Sequence, residues 1–219
     1  CSALWLGGDT RQGNSSSLVD FLYPDGQKPA GVPERMPYLQ LPIRVGIAFV
    51  PGKSYQAIPA DEQELLLQRV ANAFRDRPYV SAIEVIPDSY LRTAKGFQGM
   101  SQVAAMFNVD VMALVSYDQL ALSEERDSSL LYWTIVGALV VKGNTNEVQT
   151  MIDTAVFDVS STKLLFRAPG THRDTENATL MDASRDLRNL RSNSYTMATD
   201  DMIVNLNHQL EQFREAVKR

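Results

Sequence analysis

The sequence predicts a three-layer α/β domain built on a mixed sheet, and three observations carry that expectation. Apolar, β-branched runs at Ile43–Val50, Ser81–Ile86 and Val109–Ser116 alternate with helical stretches, the β-α-β-α-β order of a sheet with crossover connections. After residue 122 the rhythm changes to apolar runs joined by short polar turns, which reads as antiparallel hairpins. The chain then closes on an amphipathic stripe, Met202, Leu206, Leu210, Phe213 and Val217, at spacings of four, four, three and four, which predicts a long C-terminal helix over about 178–217.

The first strand, Ile43–Val50, is ended by Pro51-Gly52. Asp61-x-x-Glu64 has the spacing of a capping box and opens a helix whose buried stripe is expected to be Leu66, Val70, Ala73 and Phe74. Arg77-Pro78 stops it. A strand over Ser81–Ile86 follows, then a helix from about Phe97 to Phe107 with Phe97, Met100, Val103, Ala104 and Phe107 on one side. Val109–Ser116 is apolar at almost every position, the mark of a strand buried on both faces.

Beyond it, Ser123–Ser129 reads as a charged turn, Leu130–Val141 as an apolar strand, Lys142–Asn146 as a turn, and Glu147–Val159 as the return strand of the hairpin. A short strand, Leu164–Ala168, is expected to end at Pro169-Gly170.

Residues 1–42 look like a tether ahead of a single domain over 43–219. The tether carries Gly7-Gly8, the Ser15-Ser16-Ser17 run and prolines at 24, 29, 33, 37 and 42, a density that excludes a regular helix. One apolar patch interrupts it, Leu18, Val19, Phe21, Leu22 and Tyr23, and either docks on the domain or serves as a partner or membrane contact.

Composition narrows the function classes. A net charge of −5 and a pI near 5.1, with no basic stripe, argue against nucleic acid as a partner and against a polybasic grip on anionic lipid. The one cysteine, Cys1, precludes an internal disulfide or a multi-cysteine metal or redox site. Cys1-Ser2-Ala3 reads as a lipidated terminus left by cleavage of a secretory signal, with a diacylglycerol on the thiol and an acyl chain such as palmitate on the amine; two or more chains give stable anchoring. Serine rather than Asp after the cysteine leads to the expectation of an outer-membrane address, on its periplasmic or its surface face.

Chemistry is sparse. Val50-Pro51-Gly52-Lys53-Ser54 follows a strand as a phosphate loop would, but the required earlier glycine position is Ile47, and Pro59 sets the helix start too late for its dipole to hold a phosphate. His172 and His208 are the only histidines and are expected at the surface. Asp110, Asp118, Asp153 and Asp158 flank or interrupt strands; two of them meeting across the sheet would suit a cation or acid–base work, the basis of an alternative reading as a hydrolase or metal-dependent enzyme. No catalytic, cofactor or metal residues are assigned. The candidate interaction surface is Leu130–Val141, above all Tyr132, Trp133, Ile135 and Val136: twelve residues are too few to span a bilayer as a helix, and suit either a central strand or an exposed hairpin meeting a membrane or a partner.

Trp5-Leu6-Gly7-Gly8-Asp9-Thr10-Arg11-Gln12, then Ser-Ser-Leu-Val-Asp before Leu22-Tyr23-Pro24-Asp25-Gly26, resembles the N-terminus of rhombotarget lipoproteins. Val111–Asp118, Leu131–Gly137 and Asp153–Val159 are similar to that family as well. The resemblance implies lipidation on Cys1 and a bacterial envelope setting, and it brings no catalytic residues. A weaker likeness, at the level of architecture, is to the N-terminal domain of TolB and to CsgG-like envelope lipoproteins. Together these imply a non-enzymatic envelope protein that assists assembly, export or scaffolding through contacts with envelope proteins, or alternatively a self-assembling ring or pore component, a homo-oligomer.

Overall fold

The computed structural model describes residues 12–24, 39–52, 58–122, 146–176 and 183–217. Its elements are β1 (Gln12–Ser16), α1 (Leu18–Leu22), β2 (Ile43–Phe49), α2 (Ala60–Arg75), β3 (Val80–Ile86), α3 (Asp88–Thr93), α4 (Gly96–Phe107), β4 (Val111–Leu122), β5 (Asn146–Asp158), β6 (Leu164–Glu176) and α5 (Ala183–Val217). The sheet runs β3-β2-β4-β5-β6, with β2 parallel to β3 and β4, and β5 and β6 antiparallel to their neighbours. The expected mixed α/β sheet and long C-terminal helix are both present.

The period of two along the strands sends alternate residues into two cores. On one face Val45, Ile47, Val111, Ala113, Val115, Ile152 and Val156 pack beneath α2 and α5, through Leu66, Val70, Phe74, Met202, Leu206 and Leu210. On the other, Ala48, Met112, Leu114, Ala155 and Phe157 pack against α1, α3 and α4, through Phe21, Leu22, Leu91, Met100, Val103 and Ala104. These are the three layers. The predicted stripes of α2, α4 and α5 supply most of these helix contacts.

Several local expectations fail for identifiable reasons. The Asp61/Glu64 capping box does not form, because α2 starts two residues early: Pro59 is its N-cap and makes no side-chain cap bond. Gln63 reaches back instead and donates to the Ile58 carbonyl (2.8 Å). α3 fills a stretch with no periodic signal long enough to read.

Strand β6 continues through Pro169-Gly170 to Glu176. It is an edge strand, where a proline's missing N–H costs no ladder bond. Gly170 is required there, since a Cβ would lie 2.2 Å from the Ala198 carbonyl oxygen and the Met202 nitrogen of α5. The absence of a side chain lets the helix backbone rest on the sheet.

The hairpin also differs from expectation. β4 runs on to Leu122 and pairs residue by residue with β5, from Val111 opposite Asp158 to Leu122 opposite Glu147. β6 occupies the other side of β5 from Asn146 to Phe157. Both edges of β5 are therefore taken, and the expected pairing of Leu130–Val141 with Glu147–Val159 is excluded. Leu130–Val141 itself, with Tyr132, Trp133, Ile135 and Val136, lies outside the described residues, as do the turn residues 123–129 and 142–145.

The largest departure is at the N-terminus. Gln12–Ser16, expected in a tether, forms β1 and pairs antiparallel with Tyr117–Ala121 of β4. Ser17 then caps α1, accepting a hydrogen bond from the Asp20 N–H (3.3 Å). The apolar patch docks on the domain: Phe21 and Leu22 are buried, and Tyr23 meets Phe97 edge to face at 5.6 Å.

Candidate functional site

The helix connecting β2 to β3 lies on one face of the sheet, and those connecting β3 to β4 lie on the other. The neighbouring strands β2 and β4 therefore flank a topological switch point, the crevice at strand carboxyl ends where α/β sheets commonly bind ligands. Here β1 fills it. β5 holds one edge of β4 along its whole length, so β2 (opposite Val111–Val115) and β1 (opposite Tyr117–Ala121) share the other edge end to end. Phe49 and Ser16 are their last paired residues, on either side of Ser116.

Strand direction decides what else gathers there. β1 enters from the far end of β4, with Gln12 beside Ala121, and β5 begins at that same end, with Glu147 beside Leu122. Cys1 lies eleven residues before Gln12, a reach of at most about 40 Å. The segment 123–145, which carries Tyr132, Trp133, Ile135 and Val136, leaves and rejoins the sheet at the same end. Cys1 and residues 53–57, including Lys53 and Ser54, lie outside the described residues. Where α2 is described, it opens at Ala60, well past Gly52.

The four aspartates separate into two kinds. Asp110 accepts from the Arg44 N–H (2.8 Å) and lies 3.7 Å from the Arg44 guanidinium, tying β2 to β4. Asp158 caps the turn after β5, accepting from the Ser160 hydroxyl (2.8 Å), the Ser161 N–H (2.9 Å) and the Ser161 hydroxyl. Both serve the fold.

Asp153 and Asp118 lie on adjacent strands and on one face, opposite Ser116 and Met151 respectively. Asp153 is only 3% exposed; its Oδ2 accepts from Nε and Nη2 of Arg167 on β6, each at 2.8 Å. Its Oδ1 is buried without a hydrogen-bond partner among the described residues. Burial raises the Asp153 pKa, and Arg167 opposes that rise without cancelling it. Burial alone raises that of Asp118. Among the described residues no group of three or more His, Cys, Asp or Glu is placed to hold a metal ion.

The opposite face of the same sheet end carries a polar network that the sequence reading did not single out. Gln119 donates to the Thr150 hydroxyl (2.9 Å) and to the Arg191 carbonyl (3.1 Å), and Thr150 and Ser194 share a hydrogen bond at 2.8 Å. Tyr117 and Tyr195 pack edge to face at 5.7 Å beside it. The signal was there in Gln119 and Thr150, polar residues at core-facing positions of long strands; their register could not be known without the β4–β5 pairing. His172 pairs with Thr150 through the β5–β6 ladder and is half-buried; His208 is exposed on α5, its Nε2 3.5 Å from Gln212. Among the described residues no helix is long and apolar enough to cross a membrane.

No protein-family model matches the chain, and no curated protein matches it. Among solved structures the chain is similar to a PelC dodecamer from Paraburkholderia phytofirmans, at 10% identity over 91% of this chain and 98% of that one, with a TM-score of 0.34. It is also similar to a protein from Xanthomonas campestris (10% identity, 81% and 89% covered, TM-score 0.40) and to a lipoprotein from Neisseria meningitidis (9% identity, 67% and 93% covered, TM-score 0.32). TM-scores below 0.5 leave the function of this chain to be argued from its own residues.

Proposed function

We propose that this protein is a non-enzymatic outer-membrane lipoprotein, held by a lipid on Cys1, that assists envelope assembly, export or scaffolding through protein–protein contacts at one end of its sheet. The observation that carries the reading is the direction of β1. Its antiparallel pairing with β4 puts Gln12 at the same end of the sheet as Leu122 and Asn146, the residues that bracket the segment containing Tyr132, Trp133, Ile135 and Val136. A lipid on Cys1 would hold that segment next to the membrane, where other envelope proteins are met. The sheet supports the reading by excluding the segment from both edges of β5, and two of the four aspartates are committed to the backbone and turns.

The test is a photo-crosslinking residue in place of Trp133, in cells making the lipidated protein, with adducts identified by mass spectrometry. Adducts with one or a few envelope proteins, lost when Cys1→Ser releases the chain from membranes, are expected. Absence of adducts, or adducts unchanged by Cys1→Ser, would overturn the proposal.

A further inference from the structure

The sheet has several backbone edges, and they are not equally closed. Midway along β6, α5 blocks the border: Asp201 accepts from the Thr171 N–H (3.0 Å), Asn205 donates to the Pro169 carbonyl (2.6 Å), and Pro169 has no N–H to offer. β3 is seven residues long and exposes the charge of Glu84. Such features deter strand addition.

The β4 border at Tyr117–Ala121 is different. It is the outer half of a twelve-residue strand, held in register by β5 along its other side, and its occupant is the five-residue β1. That occupant reads Gln-Gly-Asn-Ser-Ser, with no apolar residue and with residue types depleted in strands. Its backbone pairs with β4 from Gln12 opposite Ala121 to Ser16 opposite Tyr117. A single residue, Ser17, links it to α1, which is anchored separately by Phe21 and Leu22 in the core. β1 thus lies between an anchored helix and the N-terminal residues, in a backbone pairing with β4 that an identical chain reproduces.

We propose that Tyr117–Ala121 is a strand-acceptor site, and that β1 of a second copy of this chain takes the place of β1 when two molecules lie edge to edge. The partner is a second copy because its Gln12–Ser16 reproduces every backbone pairing in the same register, the condition under which exchange costs little. α1 stays docked and Ser17 is the hinge, so the two β4 borders must abut closely enough that Ser16 moves sideways by about one strand spacing, roughly 4.8 Å, to pair with the other chain. The site stands with or without a lipid on Cys1.

The test uses full-length chains carrying Cys1→Ser, so that the only thiols are those introduced. One carries Ser15→Cys and the other, enlarged by a tag, Asp118→Cys; these positions face each other across β1 and β4. After mixing, a short thiol-to-thiol crosslinker should give a product of the two chains whose yield rises with concentration and falls when unlabelled Cys1→Ser chain is added. Ser15→Cys mixed with Asp76→Cys, at the far end of α2, should give none. A chain carrying both Ser15→Cys and Asp118→Cys should also crosslink within itself when dilute.

Internal product alone, with no mixed product at any concentration, would overturn the proposal, as would equal product with the Asp76→Cys partner. Hydrogen exchange on the Cys1→Ser chain, free of further substitutions, is the independent check. The β1 amides should exchange at least tenfold faster than those of β2, and equal protection would contradict an exchangeable strand.

Discussion

The carboxylate of Asp201, on α5, accepts a hydrogen bond from the backbone N–H of Thr171, on β6, at 3.0 Å. One helical turn further on, the Asn205 amide donates to the carbonyl of Pro169 (2.6 Å). Two side chains of the C-terminal helix thereby satisfy backbone groups in the middle of an edge strand. Asp201→Ala should cost about 1 kcal/mol of unfolding free energy, the usual net worth of such a bond where water can partly replace it. Urea denaturation measures the loss. Asp201→Ala with Asn205→Ala should in addition increase light scattering at high concentration, because the opened edge becomes available for pairing.

Gly170 gives the sharpest packing prediction. In Gly170→Ala the new Cβ would collide with backbone atoms of Ala198 and Met202, and backbone cannot move aside as a flexible side chain would. The expected loss is about 3 kcal/mol or more, read as a lower urea midpoint. An unchanged midpoint would mean that α5 does not press on β6 as described.

Asp153 and Arg167 predict a response to pH. Removing the cation in Arg167→Ala leaves a carboxylate that is 3% exposed without its counter-charge; because the Arg167 side chain is itself 41% exposed, the loss should fall below the range for fully buried pairs, at about 2 kcal/mol near neutral pH. The Asp153 pKa is already raised by burial, so the folded state holds its proton more tightly than the unfolded chain does. The penalty for the charge is full above the folded pKa and disappears as pH falls through it toward the ordinary value of 3.8. The gap between Arg167→Ala and the parent should therefore narrow on acidification, and a gap that widened would refute the assignment.

Asp118 carries the same sign: burial raises its pKa, and among the described residues no cation offsets the rise. Asp118→Asn should stabilise the protein at neutral pH, on the order of 1 kcal/mol, by removing an incompletely solvated charge while keeping the shape. The gain should fade below the ordinary carboxylate value, where the parent's Asp118 is neutral in both states. Thermal melts at pH 7 and pH 3 separate this from a pH-independent packing effect.

Much of this architecture was legible because its signals are periodic. The apolar runs at Ile43, Ser81 and Val109 and the stripe from Met202 to Leu210 each name a face, and those faces meet in the two cores. What escaped was non-local or non-apolar. Gln12–Ser16 carries no hydrophobic period, and only the long open border of β4 makes it a strand. Pro169-Gly170 reads as a stop until β6 is known to be an edge and α5 to need the space. Leu130–Val141 looked like the partner of Glu147–Val159 because composition ranks strands without saying which neighbours they take. Of the candidate site, the aspartates were visible as residue types, but their division into fold-building Asp110 and Asp158 and sheet-face Asp118 and Asp153 depends on register, which the sequence does not print.

If a lipid on Cys1 holds the chain at a membrane, the sheet end that carries Gln12, Leu122 and Asn146 faces that membrane. A twelve-residue strand spans roughly 40 Å, so the two ends of the domain are distinguishable by depth. The direct measurement is collisional quenching in vesicles carrying the lipidated protein, with a fluorophore on Glu147→Cys at the β5 start or on Asp76→Cys at the opposite end, and with spin-labelled lipid as quencher. The account predicts strong quenching at position 147 and little at position 76. Equal quenching, or the reverse order, would contradict it.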